Sequence, residues 1–307
     1  MPSRRAAMKI LGGAALAGLA ATSAVAAETF VRLRIARYAL TPAGWPSDLR
    51  LRAVIMSDLH ASLPWMGPAR IRRIVNAMNA LQPDIHLLLG DYLSGMELSF
   101  GQVAPEDWGA ELARLNAPLG VHAVLGNHDW ADDPIAEQTE DGPSTARQAL
   151  QDAGIAVYEN DARRIETDKS AFWLAGLGDQ MGRYRTVVNG KARSVSRDDL
   201  PGTVAQIDDD GAPALLMAHE PDIFPDVPDR IGVTLSGHTH GGQIVPFGWA
   251  PVVPRIRRDT HYRYGHYREG ERDLIVTGGV GCSILPIRIG MAPEIVLLEL
   301  GGASATS

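Results

Sequence analysis

The sequence predicts an α/β fold with its strands held between helix layers. Three observations carry this: short apolar runs alternate with amphipathic stretches through the first half, each run has the length of a strand, and Gly or Pro turns separate the runs of the second half. Residues 51–56 read as a buried strand. Across 68–81, Ile71, Ile74, Val75 and Met78 recur at helical spacing, while Arg70, Arg72 and Arg73 face elsewhere. Residues 85–89 give a second strand, 106–115 a helix and 121–125 a third strand. Residues 144–153 give a helix stopped by Gly154, because glycine accepts the left-handed turn that follows a last helical residue. Further strands are expected at 155–158, 172–177, 214–217, 233–235, 274–277 and 295–300. Residues 178–210 are polar and uneven. Asp208, Asp209 and Asp210 before Gly211 read as a solvated turn, since the alternating ligand spacing of a calcium loop is missing.

The chain has 307 residues, 45% of them hydrophobic and 21% charged, which is ample for a large core. No internal repeat or low-complexity linker divides it, so one domain is expected over residues 28–307. Residues 1–27 differ in kind. Arg4, Arg5 and Lys9 precede an Ala/Gly/Leu run at 10–21, and Ala24, Val25 and Ala26 offer small residues to a signal peptidase. The paired arginines point to the twin-arginine export machinery, hence to the periplasm or the outer face of the cytoplasmic membrane. Cleavage is expected after Ala26 or Ala27; an uncut segment would tether the protein to the membrane. Removing residues 1–26 takes away those three cations and no acid, so the formal charge moves from −7 to −10. A chain this acidic lacks the basic footprint of a general nucleic-acid binder. Its one cysteine, Cys282, allows no internal disulfide, so the fold must stand without one.

Five fragments carry the chemistry: Asp58-Leu59-His60, Gly90-Asp91, Gly126-Asn127-His128-Asp129, His219, and Gly237-His238-Thr239-His240. Nearly all follow a short apolar run, and strand ends are where open α/β sheets place their sites. Carboxylate, imidazole and amide oxygen together suit divalent ions that act on phosphate. Asp58 and His60, like His238 and His240, are two apart at a strand end, a spacing that turns both side chains to one side. Gly90, Gly126 and Gly237 let the backbone approach a crowded centre. Asn127 cannot titrate, so it reads as a neutral oxygen ligand. A lone Asp or His at a strand end is usually a cap or a satisfied contact. Here five of nine histidines fall in these fragments, in order, on successive strands. His86 and His122, inside apolar runs, read as strand histidines with ordinary partners.

This series resembles that of the calcineurin-like metallophosphoesterases, over about residues 50 to 300. Gly237 to Gln243 and the stretch from Gly278 to Glu294 are similar to the exported or membrane-associated bacterial phosphodiesterase branch. The resemblance implies a four-layer α/β/β/α sandwich of two mixed sheets flanked by helices. It implies two divalent metal ions, of manganese, iron or zinc. Asp58, His60 and His240 would hold the first, Asn127, His219 and His238 the second, and Asp91 would bridge them. It places His128 beside the substrate, with Asp129 orienting its ring. Two such ions would clamp a phosphoester and acidify a bridging water, while a protonated His128 would give its proton to the leaving oxygen. The implied activity is phosphodiester hydrolysis, on a lipid-linked or nucleotide-diphosphate-linked ester. Two alternatives stand beside it: a phosphomonoesterase or protein phosphatase, and a non-catalytic, metal-dependent binder of phosphorylated envelope lipids.

Five arginines and three tyrosines fall between Arg255 and Arg268. Arg255, Arg258, Tyr264 and Arg268 are candidate substrate residues, because arginine meets phosphate in a bidentate way and tyrosine offers an apolar face with a polar tip. A solvated ribbon of arginines stacked on tyrosines is the alternative. Trp65, Met66, Phe247, Trp249, Val252 and Val253 suit either an apolar rim for peripheral membrane association or buried packing.

Overall fold

The computed structural model describes residues 22–139, 144–168, 170–188, 191–254 and 261–301, with backbone alone at 137–139, 183–188 and 191–194. The first half contains β1 (Arg34–Leu40), β2 (Leu51–Met56), β3 (Ser62–Leu63), α1 (Pro68–Ala80), β4 (Ile85–Leu88), β5 (Gly101–Gln102) and α2 (Pro105–Leu112). It continues through β6 (Val121–Ala123), α3 (His128–Ala131), α4 (Pro134–Thr139), α5 (Thr145–Asp152) and β7 (Ala156–Val157). The second half contains β8 (Asp161–Glu166), β9 (Ala171–Gly176), β10 (Arg183–Val188), β11 (Lys191–Ser196), α6 (Leu200–Val204) and β12 (Ala214–Met217). It closes with β13 (Val233–Ser236), β14 (Gly265–Glu269), β15 (Arg272–Val276) and β16 (Glu294–Leu300).

Two six-stranded mixed sheets form the centre. The first runs β1-β16-β2-β4-β6-β7, with β2, β4, β6 and β7 parallel and β16 antiparallel to β2. The second runs β14-β15-β13-β12-β9-β8, parallel through its four central strands and antiparallel at both edges. Strand β2 shows how the layers are sorted. Leu51, Ala53 and Ile55 enter the space between the sheets with Leu87, Met217 and Leu235. Val54 and Met56 turn the other way, onto Ile71, Val75 and Met78 of α1 and Trp108 of α2. Alternate residues of a strand face opposite sides, so a strand covered on both faces reads as one apolar run. Each fully buried Leu, Ile or Val contributes roughly 1.5–3 kcal/mol. Helix α5 starts where Ser144 accepts a hydrogen bond from the Arg147 backbone N–H. The outermost layer is thin: α6 and a 3-10 turn at Pro221–Asp226 cover Trp173, Ala175 and Leu216 through Leu200 and Ile223.

The sequence reading leaves the edge strands β1, β8 and β14 unassigned. β1 and β8 are largely exposed and carry arginines, so the apolar alternation of a half-buried strand is faint in them. Residues 178–210 contain the β10–β11 hairpin, which pairs only with itself. His86 and His122 have ordinary partners: His86 Nε2 meets Asn79 Oδ1 at 3.1 Å, and His122 Nδ1 meets the Tyr158 hydroxyl at 2.9 Å. Residues 22–26 are helical and Ala27–Val31 form a π turn. Thr29 is fully buried and its hydroxyl accepts from the Arg288 backbone N–H at 2.9 Å. Thr29 Oγ1 also donates to Val25 O at 2.8 Å, across the expected leader boundary at Ala26 or Ala27.

Candidate metal centre

Strands β2, β4 and β6 run parallel in one sheet, β12 and β13 in the other, and the loops after all five meet at one edge of the sandwich. Val280 N–H donates to Ser57 O at 3.0 Å, and His219 Nδ1 bonds to Leu89 O at 2.6 Å, which ties the two sheets together there. The paired ligands converge for a reason other than strand pleat. Asp58, His60, Asp91, His238 and His240 lie past their strand ends, each in the left-handed region, with φ of 57°, 46°, 60°, 65° and 50°. A non-glycine residue costs about 1–3 kcal/mol there and persists where its surroundings enforce it. That strain is concentrated on the candidate ligands.

Two glycines make the convergence possible. A Cβ on Gly126 would stand 2.3 Å from Asp91 Oδ1 and 2.7 Å from His219 Cε1. One on Gly237 would stand 1.9 Å from Ser57 Oγ and 2.7 Å from Asp58 Oδ2.

Asp58, His60 and His240 present ligand atoms within 4.8 Å of one another; so do Asp91, His219 and His238, and so do His60, Asp91 and His128. His60 Nε2 faces His240 Nε2 at 3.1 Å, and His240 Nε2 lies 3.4 Å from Asp58 Oδ1. Asp91 Oδ2 lies 3.5 Å from His60 Nε2 and 3.1 Å from His219 Nε2, so it stands between the two groups. Asn127 Oδ1 meets His238 Nδ1 at 2.9 Å. Asp58, His60, Asp91, His219, His238 and His240 are buried, yet Asp58 Oδ2 satisfies no hydrogen bond. A buried carboxylate oxygen without a partner costs free energy, and a cation beside it removes that cost. The donor set, nitrogen and oxygen with no thiolate, fits manganese, iron or zinc.

The profile of the calcineurin-like phosphoesterase family matches residues 51–242, a span that contains every one of these positions. This chain belongs to the calcineurin-like phosphoesterase family. It is 34% identical to phosphodiesterase YaeI of Escherichia coli over 81% of this chain and 82% of that protein. It is 27% identical to the uncharacterized metallophosphoesterase YkuE of Bacillus subtilis, over 81% and 78% of the two chains. At 28% identity over 80% of its length, it spans 47% of F40B5.2 of Caenorhabditis elegans, about half of that relative. Among solved structures, sulfate thiohydrolase SoxB of Thermus thermophilus aligns over 81% of this chain and 56% of its own, at 13% identity and TM-score 0.46.

The electrostatics of this phosphoesterase favour cations at its centre. Burial alone would raise Asp91, but His219, His128 and His60 outweigh it and hold the carboxyl well below its usual range. Burial and Asp91 push Asp58 up to about 6. Burial lowers His60 to about 4 and holds His240 well below its ordinary value. His219 moves the opposite way: burial would lower it, yet Asp91 and Asp58 raise it well above normal. Second contacts fix the rings. His60 Nδ1 bonds to Leu93 O at 3.0 Å and His219 Nδ1 to Leu89 O, which turns each Nε2 towards the centre. His240 differs, because its Nδ1 accepts from Arg288 Nη2 at 3.1 Å.

His128 corrects one expectation. Its Nδ1 bonds to Asp132 Oδ2, one helical turn on, and not to Asp129. Asp129 instead accepts backbone N–H groups from Asp91, Tyr92, Leu93 and Gly126, so it pins the loops that carry the ligands. Burial and Asp91 push Asp129 up to about 7, against those four N–H groups. For His128, burial would lower the pKa, but Asp91 and Asp132 raise it to about 9. The ring lies edge-on to His60, with centroids 4.9 Å apart, and lines a cavity of about 380 Å³ with His60.

Of the substrate candidates, Tyr264 and Arg268 are not gathered at this centre. The Tyr264 hydroxyl donates to Glu294 Oε2 at 2.8 Å, and that carboxylate also accepts from Gly278 N–H. Arg268 lies on the edge strand β14, its Nη1 4.0 Å from Asp273. Both side chains are engaged in packing and pairing rather than offered to the cavity. Arg255 and Arg258 lie outside the described residues. Two residues at the site had no role assigned from the sequence. Asp132 carries no motif beyond its i+4 spacing from His128. Arg288, fully buried, donates to Gly281 O at 2.7 Å, Gly278 O at 2.8 Å and His240 Nδ1; its signals were its place in the Gly278–Glu294 stretch and its position between Ile287 and Ile289.

Proposed function

We propose that this phosphoesterase is a phosphodiesterase working with two divalent ions, exported by the twin-arginine route to the outer face of the cytoplasmic membrane. One observation carries the two-metal reading: Asp91 stands within reach of both ligand groups, at 3.5 Å from His60 and 3.1 Å from His219. Asp58, His60 and His240 would hold one ion, Asn127, His219 and His238 the other, and Asp91 both. When bound, such a pair supplies charge neutralisation at the phosphoryl oxygens and an activated water for in-line attack. His128 does the protein's own proton chemistry. Asp132 occupies its Nδ1 and keeps the ring cationic, so the Nε2–H is free to donate to a phosphoryl or leaving oxygen. Asp129 holds the ligand loops still. The name of the YaeI relative supports the diester preference, and Met96, Leu98, Ile284 and Leu285 in the cavity wall support an ester with an apolar arm. Arg4 and Arg5 before the apolar run at 10–21 support export.

The test is anaerobic purification with elemental analysis, followed by turnover of bis-(p-nitrophenyl) phosphate and p-nitrophenyl phosphate. The expected result is two metals per chain and faster diester cleavage. Faster monoester cleavage would make it a monoesterase; no turnover by fully loaded protein would make it a binder.

A further inference from the structure

The cavity beside His60 and His128 opens between exposed apolar loops. Leu98 forms one wall, Ile284 and Leu285 the other. Beyond the first wall, Phe100 is 88% exposed; its N–H donates to Leu63 O at 2.8 Å, which holds it beside the exposed Leu63. Beyond the second, Gln243 bonds to Ser283 O and Leu285 O, and Val245 N–H bonds to Ile289 O at 2.6 Å. Those bonds join the Ile284 loop to the one bearing Phe247, Trp249 and Val252. Phe247 is fully exposed, Trp249 68% and Ile284 73%. Phe247 and Ile284 also hold left-handed φ of 54° and 63°, which bulky and β-branched residues rarely adopt. Scattered apolar residues on a surface need no explanation; a set that rings the mouth of a site marks a contact surface.

The chain indicates what covers it. Residues 22–31 lead from the apolar run at 10–21 straight onto this side of the molecule. Phe30 stacks on Trp65 at 5.2 Å, and Trp65 Nε1 donates to Leu98 O at 2.6 Å. Val31 is exposed there, flanked by exposed Arg32 and Arg73. Phe30 and Val31 thus lie on the same side as the apolar rim, beside cations suited to headgroup phosphates.

We propose that this rim seats on a phospholipid bilayer, with the mouth of the metal centre towards the headgroups, so that the substrate is a phosphodiester carried by a membrane lipid. The docking stands on the rim alone; the substrate class rests on the phosphodiesterase reading. Phe247, Trp249 and Phe100 enter the interfacial layer, where aromatic rings are favoured.

The test uses the full chain and vesicles of phosphatidylcholine with phosphatidylglycerol, their acyl chains brominated to quench tryptophan. Trp249 emission, taken as the difference from a Trp249→Phe chain, should be quenched on binding. The pair Phe100→Ser and Phe247→Ser should weaken vesicle affinity about tenfold or more, since the loss of about 1.4 kcal/mol of apolar burial already gives that factor, and should leave turnover of soluble bis-(p-nitrophenyl) phosphate unchanged. Absence of Trp249 quenching when the chain is vesicle-bound overturns the docking. Loss of a dimer instead of vesicle binding, in the doubly substituted chain, assigns the rim to a second copy and also overturns it. Vesicle docking by a metal-loaded chain that cleaves no diester leaves the docking standing and overturns the phosphodiesterase reading.

Discussion

Asp132→Asn isolates the charge that keeps His128 protonated. The asparagine oxygen can still accept from His128 Nδ1, so the ring keeps its direction while the carboxylate charge is lost. A hydrogen bond to a charged group contributes about 1.5–3 kcal/mol net, and 1.36 kcal/mol corresponds to about one pKa unit. Loss of that carboxylate should therefore lower the His128 pKa by about 1–2 units. The imidazolium is the form that donates, so the alkaline limb of kcat/KM should move down by that amount and the acid limb should stay. The same sign applies to stability. The raised His128 pKa contributes stability that is full below about pH 6.5 and lost as pH rises through about 9, and Asp132→Asn should shrink that loss. The assay is a pH–rate profile on bis-(p-nitrophenyl) phosphate, with metal content measured at each pH. Asp129→Asn is the contrast: it keeps one acceptor oxygen but sets an NH2 against two of the four backbone N–H groups, and should shed metal rather than shift the limb. An unmoved alkaline limb in fully loaded Asp132→Asn protein would refute the assignment of Asp132.

Three further outcomes are expected. Asp91→Asn should lose metal and turnover together, by elemental analysis beside kinetics; a loaded, active variant would remove Asp91 from its shared position. Gly237→Ala forces a methyl to 1.9 Å from Ser57 Oγ and should lower the thermal midpoint by the cost of overpacking, about 1–3 kcal/mol or more, while weakening metal affinity. His86, away from the centre, is held at about 4 by burial, below its unfolded value, so it contributes stability present above about pH 6.5 that is lost as pH falls through about 4. Denaturant midpoints of wild type and His86→Leu should therefore differ in slope across that window by about 2–4 kcal/mol in total; parallel curves would contradict it.

The central strands were legible because burial on both faces writes itself as unbroken apolar runs, as in Leu51–Met56 and Ala214–Met217. The edge strands were not, because Arg34–Leu40 and Asp161–Glu166 are held mainly by ladder hydrogen bonds that leave little mark on side-chain choice. At the site, the ligand types were legible and the reason for their convergence was not. Residue spacing suggested strand pleat; the backbone uses left-handed turns at Asp58, His60, Asp91, His238 and His240. Position i+1 of a motif also proved a poor guide to contact. Asp129 follows His128 directly, yet on a helix the neighbour that shares a face is the one four residues on, and that is Asp132.

By itself, the order of apolar runs and polar fragments determined the fold class, the family and the chemical kinds of the ligands, since local composition follows burial and metal preference directly. Only the tertiary structure decided which carboxylate serves His128, that Tyr264 is spent on Glu294, and that Arg288 reaches His240 from 48 residues away. Those pairings depend on where loops from two sheets meet, and a meeting point between distant segments is set by packing of the whole core rather than by any residue's neighbours in sequence.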